Sequence, residues 1–278
     1  MPPAVAIVTD STAYLPPVSG VTVVPLEVII GGTAYHDGDQ LDAARMLTAL
    51  KDWVPVTTSR PAPQHFADVY EAAAAHGATG VVSIHLSGEL SGTVASARIA
   101  AADSLIPVEI VDSRSIAMGL GFPVLAAVSA AAKGATLTEV AATARRVADA
   151  ARTFFYVDTL EYLRRGGRVG SAATLVGSAL MIKPLLHLSR GAIVPLEKVR
   201  TVTRAIARLE DLVVETAGND PVEIAVQHLS ARGRAEALAE RLAQRLPKLT
   251  GLRVLEVGAV IGVHVGPGSL GVTVSPSS

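Results

Sequence analysis

The chain has 278 residues, of which 50% are hydrophobic and 18% are charged, with a formal net charge of -1 and no cysteine. This composition excludes a disordered chain, disulfides, thiolate metal sites and cysteine nucleophiles. The near-neutral balance of charge also argues against a nucleic-acid partner, because binding to phosphates requires a basic surface.

The N-terminus reads MPPAVAIVTDS and has no basic region before its apolar stretch, so it does not resemble a secretory signal, and we expect a cytoplasmic protein. Residues 115–132 are uncharged and almost long enough to span a membrane. The glycines, serines and Pro123 make this stretch only weakly hydrophobic. We therefore predict a buried helix here and no integral membrane segment.

In the first half of the chain, short β-rich runs alternate with alanine-rich helical stretches. The β-rich runs are AVAIVTD, VTVVPLEVII, VVSIHLS and VEIVDS, and the helical stretches include FADVYEAAAAHG and TVASARIAAADS. This alternation predicts βαβ units around a parallel sheet. Small polar residues, among them Ser11 and Ser113, follow the strands, where open α/β sheets bind ligands.

In the second half the pattern changes. TLTEVAATARRVADAAR at 136–152 predicts an amphipathic helix, and the β-rich runs that follow, including RVLEVGAVIGVHV and LGVTVSP, are mixed with helices such as RAEALAERLAQRL. This mixture of β-rich runs and helices is typical of an α+β layer. The sequence therefore predicts an N-terminal α/β domain at 1–153 and a C-terminal α+β domain at 154–278.

Two hydroxyl-rich loops precede predicted helices. VPVTTSRPAPQHF contains Thr58 and Ser59, and SGELSGT contains Ser91 and Gly92. A serine or threonine before a helix is a good N-cap, and the free N–H groups of a helix N-terminus also attract anions. Each loop is therefore either a capping device or part of an anion site.

Two further segments carry cationic or titratable side chains. RRGGRVG places Arg164, Arg165 and Arg168 around two glycines, and their planar guanidinium groups suit a carboxylate or phosphate, or else are solvated. VIGVHVGPG resembles a strand that ends in a turn and carries His264. That histidine is either an ordinary core or edge residue or a ligand-binding group. The other histidines lie far apart without metal-ligand spacing, and no nucleotide-binding motif follows a strand.

The motifs taken in order resemble those of the DegV family of bacterial fatty-acid-binding proteins over nearly the whole chain. They are TDST at 9–12, TTSRP at 57–61, SGELSGT at 87–93, VDSRSIAMGLG at 111–121, RRGGRVG at 164–170, IKPLL at 182–186, EKVRT at 197–201 and HVGPGSLG at 264–271. The resemblance implies two α/β domains with a long-chain fatty acid bound between them. Arg60 departs from the small or amide side chain that is frequent in the family.

The resemblance also implies which residues hold the ligand. The carboxylate would be bound by Thr58, Ser91, Arg168 and His264, with Ser59, Gly92, Ser11 and Ser113 as secondary candidates. Stretches near Ile29, Ile30, Met118, Ile182 and Leu186 could line an apolar tunnel or simply pack in the core.

The same resemblance implies a role in phospholipid metabolism as a non-catalytic subunit that presents its fatty acid to a separate ATP-dependent fatty-acid kinase. No metal and no cofactor other than the bound fatty acid is expected. The exposed side chains of Lys198, Arg200 and Arg204 would either meet that kinase or form a solvated face.

Two other functions stay open from the residues. Ser91 and His264 could be the nucleophile and base of a serine hydrolase acting on acyl esters, although the G-x-S-x-G elbow is missing. A histidine could also bind a small carbonyl compound.

Overall fold

The computed structural model describes residues 5–15, 18–41, 43–52, 54–175 and 182–277. The strands are β1 Val5–Asp10, β2 Val21–Val24, β3 Glu27–Ile30, β4 Thr33–His36, β5 Val56–Ser59, β6 Gly80–His85, β7 Val108–Asp112, β8 Arg152–Tyr156, β9 Lys183–Ser189, β10 Ala192–Val199, β11 Val222–His228, β12 Leu249–Glu256 and β13 Leu270–Pro276. The helices are α1 Ala43–Lys51, α2 Pro63–Ala75, α3 Thr93–Ala102, α4 Met118–Ala132, α5 Leu137–Ala150, α6 Glu161–Arg165, α7 Val202–Ala217, α8 Arg232–Arg245 and α9 Ala259–Val265. Short 3-10 helices cover Ser11–Ala13 and Gly170–Leu175.

The first sheet is parallel and has the order β2-β1-β6-β7. Its central strand β6 is buried along its whole length, as expected for a sheet with helices on both faces. Helices α2 and α3 contact one face, and α4 and α5 contact the other. The predicted parallel sheet is therefore confirmed.

A three-stranded antiparallel sheet, β4-β3-β5, is a feature that the predicted βαβ pattern lacks. The run VTVVPLEVII is two strands, because Pro25 and Leu26 interrupt it. Proline cannot donate a backbone hydrogen bond, so the chain leaves the first sheet after β2 and enters the antiparallel sheet at β3. Strand β5 carries Thr58, and both β3 and β5 contact α9.

The third sheet has six strands in the order β10-β9-β8-β13-β11-β12. Its neighbours are antiparallel except for the parallel pair β11 and β12. Helices α7 and α8 bury an apolar core against it, and α4 contacts β13 as well as β1 and β6. The fold is thus mixed α/β, with a parallel sheet followed by a second sheet-rich region. Strand β8 begins beside the proposed boundary at 153, and the division into two domains stays a proposal.

The predicted helices in the middle of the chain are largely confirmed. Most residues of α4 are buried, and Thr136 and Glu139 form a reciprocal capping box at the start of α5. The nearly uncharged stretch that follows RRGGRVG predicts a helix that runs to Lys183 and Pro184. This prediction is wrong at both described ends, because residues 170–175 are a 3-10 helix and Lys183 begins β9. Residues 176–181 of that prediction lie outside the described residues.

The strand predicted for the segment containing His264 is also wrong, because residues 259–265 are α9. Valine, isoleucine and glycine favour strands or turns, but tertiary contacts override such propensities. Helix α9 packs against α1 and α6, and the side chain of Asp37 accepts hydrogen bonds from its first two N–H groups. Across the described ranges, no helix is long and apolar enough to cross a membrane.

Candidate functional site

A cavity of about 970 Å³, counting its open mouth, is lined by residues of the three-stranded and six-stranded sheets, of α9, and of the loops that follow β6 and β7. Most of its wall is apolar, as is usual for small-molecule sites. Thr58, Ser91, Arg168 and His264 all line it. These four residues, called the polar cluster below, come from four distant segments, and the fold brings them to one cavity.

His264 lies in the last turn of α9, and its Nε2 is 2.8 Å from Oγ1 of Thr58. Thr58 is held by the pairing of β5 with β3, where it lies opposite Val28. The hydroxyl can donate to Nε2 or accept from it, depending on the tautomer of the imidazole. This bond joins the antiparallel sheet to α9 at the cavity wall.

Burial and, to a lesser extent, the positive charge of Arg168 lower the pKa of His264 to about 4. The imidazole is therefore neutral at neutral pH. Its Nδ1 is buried without a hydrogen-bond partner among the described residues. Gly166 allows this packing, because a Cβ at that position would lie 2.0 Å from Nδ1.

Arg168 is fixed by two backbone carbonyls. Its Nη1 donates to the carbonyl of Gly166 at 2.6 Å, and its Nε donates to the carbonyl of Leu90 at 3.1 Å. Both acceptors are neutral, so these bonds orient the guanidinium without cancelling its charge. An oriented cation at the wall of an apolar cavity is suited to bind an anion.

Ser91 precedes α3 but is not its N-cap. The N-cap is Gly92, which makes no side-chain capping bond, and the helix begins at Thr93. Oγ of Ser91 accepts from the N–H of Thr93 at 3.3 Å and lies 2.8 Å from Oγ1 of the same residue. The N-cap is therefore one residue after Ser91, and the Ser91 hydroxyl is held beside the first turn of α3.

The secondary candidates divide into one that lines the cavity and three that do not. Ser59 lines it and donates to the carbonyl of Arg60. Gly92 lies outside the wall, beneath the side chain of Arg60. Ser11 accepts from the N–H of Leu26, and the side chain of Ser113 bonds to the backbone of Ser115.

The apolar residues expected along the tunnel are placed elsewhere. None of Ile29, Ile30, Met118, Ile182 and Leu186 lines the cavity, and Met118 and Leu186 are fully buried in separate core clusters. The apolar wall instead includes Leu86, Leu90, Phe155, Val260, Ile261 and Leu270. Hydrophobicity alone cannot distinguish a cavity wall from the core, because both lack contact with bulk water.

No pattern in the sequence indicates the residues that hold α9 in place. Oδ1 of Asp37 accepts from the N–H groups of Ala259 and Val260, and Oδ2 accepts from the hydroxyl of Tyr14 at 3.0 Å. The same Tyr14 oxygen accepts from the N–H of Ile261. Burial is the main cause that raises the pKa of Asp37. A buried carboxylate more than 200 positions away in sequence thus satisfies the start of the helix that carries His264.

A hydroxyl–imidazole–carboxylate chain lies in the core. Nε2 of His85 is 2.7 Å from Oγ of Ser83, and its Nδ1 is 3.0 Å from Oδ2 of Asp10. All three side chains are fully buried. The order of groups matches a serine-hydrolase triad, but without access for a substrate it serves to link β1 and β6.

Hydrolysis through Ser91 and His264 has no support in the geometry. His264 is bonded to Thr58 and Ser91 to Thr93, and the carboxylate that a triad requires at Nδ1 of His264 is missing among the described residues. A pKa of about 4 also makes His264 a weak base. In the described ranges no group of His, Asp and Glu side chains is arranged to hold a metal ion.

Comparison with protein families gives a match along nearly the whole chain. The DegV family model matches residues 4–277. A DegV domain-containing protein of Streptomyces coelicolor is 54% identical over 275 residues, covering 98% of each chain. Another from Mycobacterium tuberculosis is 37% identical, covering 97% of this chain and 96% of the relative.

Solved structures agree with this relationship. A fatty-acid-binding DegV family protein of Thermus thermophilus has a TM-score of 0.93 at 32% identity, covering 98% of this chain and 99% of the other. DegV of Bacillus subtilis, described as a fatty acid binding protein, has a TM-score of 0.88 at 32% identity with the same coverage. These values confirm the mixed α/β fold.

Proposed function

Because the chain belongs to the DegV family, we propose that it binds a long-chain fatty acid in the cavity, with the carboxylate at the polar cluster. The observation that carries this proposal is the combination of one oriented cation and several hydroxyls with a mostly apolar wall. A fatty acid has the same division into an anionic head and an apolar tail. The fatty-acid-binding relatives named above support the same ligand class.

The head group would be held by complementary charge and hydrogen bonding. Moving a carboxylate out of water is costly unless donors replace its hydration. Arg168 supplies the positive charge, and the hydroxyls of Thr58 and Ser91 can donate without carrying charge. His264 is neutral and can donate through one ring nitrogen, so Arg168 is the charged member of the polar cluster.

The tail would supply most of the affinity. Each buried methylene contributes about 0.8 kcal/mol, so a long acyl chain offers on the order of ten kcal/mol before the costs of association and ordering. A small carbonyl compound would leave most of the apolar wall without contacts. The predominance of apolar side chains therefore favours a lipid over that alternative.

The further steps follow from the family resemblance. We propose that the protein is a non-catalytic cytoplasmic carrier that presents its fatty acid to a separate ATP-dependent kinase. A carboxylate oxygen would take the γ-phosphoryl group of ATP, forming an acyl phosphate and ADP, for use in phospholipid metabolism. Lys198, Arg200 and Arg204 are exposed and would be available to such a partner.

The test is uptake of fatty acid by delipidated protein, measured by native mass spectrometry. The wild type should gain the mass of one long-chain fatty acid, and Arg168→Ala should retain less than a tenth as much at limiting ligand. Arg164→Ala is the matched control, because this exposed arginine bonds to Glu161 outside the cavity wall. Failure of the wild type to take up any fatty acid would defeat the proposed function.

A further inference from the structure

Besides the polar cluster and its neighbours Ser59 and Arg60, four polar side chains line the cavity: Thr153, Gln227, His228 and Ser269. Two of them are satisfied within the protein. Gln227 accepts from the N–H of Met118 and donates to Oγ1 of Thr273, which is 3.0 Å from Oγ1 of Thr153. Their polarity therefore serves to hold α4 and the six-stranded sheet together.

His228 differs from them because its imidazole is buried and unsatisfied. Its side chain is 4% exposed, and Nδ1 has no hydrogen-bond partner among the described residues. The nearest acidic oxygen, Oε1 of Glu256, lies 3.8 Å away and already accepts from the N–H of Ser230. Nδ1 therefore faces Glu256, which lies outside the cavity wall, and the ring nitrogen left for the cavity is Nε2, which makes no hydrogen bond to the described residues.

Burial keeps His228 neutral. Desolvation is the largest influence and lowers its pKa, the charge of Arg232 acts in the same direction, and Glu256 and Glu236 oppose them. A neutral imidazole has one donor and one acceptor nitrogen, so it suits an uncharged hydroxyl or carbonyl better than a second carboxylate. Ser269, which is also buried in the cavity wall, adds a hydroxyl to this part of the wall.

The position of His228 relative to the polar cluster follows from α9. The N–H of Val257, just before α9, donates to the carbonyl of His228, whereas His264 lies in the last turn of that helix. The helical rise places these two ends roughly 10 Å apart. Val260 and Ile261 line the cavity between them, so an acyl chain would cross an apolar section before it reached His228.

We infer that His228 is a second polar contact of the cavity, for an acyl chain that carries a hydroxyl or keto oxygen near its middle. This inference rests on the proposed function, because it assumes that the carboxylate lies at the polar cluster. An oxygenated chain would give Nε2 of the imidazole a hydrogen-bond partner. A plain chain would cover the imidazole and leave it unsatisfied, which is the arrangement by which a binding site rejects an analogue that lacks one polar group.

The experiment is competition between stearic acid and stearic acid hydroxylated at carbon ten, offered in equal amounts to delipidated protein and read by native mass spectrometry. The wild type should bind the hydroxylated acid in preference, by about threefold to tenfold, the range expected for one net hydrogen bond. His228→Leu should reduce the ratio to one or below. His187→Leu is the matched control, because this histidine lies outside the cavity wall, and it should retain the wild-type ratio.

A second measurement needs no variant. Moving the hydroxyl to carbon two, beside the carboxylate, should abolish the preference, because the oxygen no longer reaches His228. Equal binding of the plain and mid-chain hydroxylated acids by the wild type, or a preference that survives His228→Leu, would overturn the inference while leaving the fatty-acid proposal intact. Uptake of neither acid would instead refute the proposed function and this inference together.

Discussion

The contact of Asp37 with α9 gives the sharpest test of how the site is held together. Replacing Asp37 with leucine removes the acceptor of two buried N–H groups, those of Ala259 and Val260, and of the Tyr14 hydroxyl. Each buried donor without a partner costs about 1–3 kcal/mol, but the bond to Val260 is long at 3.4 Å and contributes least. Removing a carboxylate that burial disfavours offsets part of the loss. We expect a net destabilisation of about 3 kcal/mol for Asp37→Leu.

The assay combines urea unfolding with an NMR titration of the His264 imidazole. If Asp37 positions α9, the variant should both unfold at lower urea and show a His264 pKa that moves from about 4 towards the ordinary 6.5, because a displaced α9 no longer buries the ring. Asp39→Leu in the same loop is the matched control, since Asp39 is exposed. Asp37→Asn keeps one acceptor oxygen and should restore most of both properties. An unchanged His264 titration in Asp37→Leu would refute the positioning role.

Three further predictions concern the site. The pKa of His264 is lower in the folded state, so as the pH drops the unfolded state takes up the proton first. The free energy of unfolding should therefore fall between pH 6.5 and about pH 4, by up to about 3 kcal/mol. Urea titrations at both pH values should show that His264→Gln lacks this contribution to the loss of stability. Gly166→Ala would place a Cβ 2.0 Å from Nδ1 of His264 and should reduce fatty-acid uptake severalfold, whereas Gly233→Ala, with open space around it, should not. A fluorophosphonate probe should label neither Ser83, which is buried, nor Ser91, and labelling of Ser91 in intact protein would revive the hydrolase alternative.

The predictable parts of the fold depend on local pattern. Amphipathic periodicity identifies α5, and the two residues of its capping box, Thr136 and Glu139, lie at its own N-terminus. Strand β6, which is buried along its whole length, is equally visible as a run rich in β-branched residues. The polar cluster was identified through the family resemblance, and the geometry then placed all four residues at one cavity.

The parts that sequence could not provide depend on long-range contacts. Helix α9 has the composition of a strand, and it is helical where Asp37 and Tyr14 satisfy its first turn from other segments. The wall of the cavity was unpredictable for a related reason. Met118 and Leu270 are equally apolar and equally buried, and only the three-dimensional path of the chain puts the second of them at the cavity.

The members of the polar cluster are also linked to one another by hydrogen bonds and packing contacts. His264 bonds to Thr58 and packs on Gly166, whose carbonyl holds Arg168. Arg168 in turn bonds to the carbonyl of Leu90, immediately before Ser91. Each member therefore restrains the next, and the donors are oriented before a ligand arrives, which reduces the ordering cost of binding.

This connection predicts that substitutions at its two ends will not act independently. Displacing α9 through Asp37→Leu should already disturb Arg168, because Gly166 lies between His264 and the guanidinium. The double variant Asp37→Leu/Arg168→Ala should then lose less fatty-acid affinity than the sum of the two single losses, by about 1 kcal/mol or more in a double-mutant cycle. Strict additivity would mean that the two ends of the cluster bind the ligand separately, and that the chain of contacts through Gly166 transmits nothing.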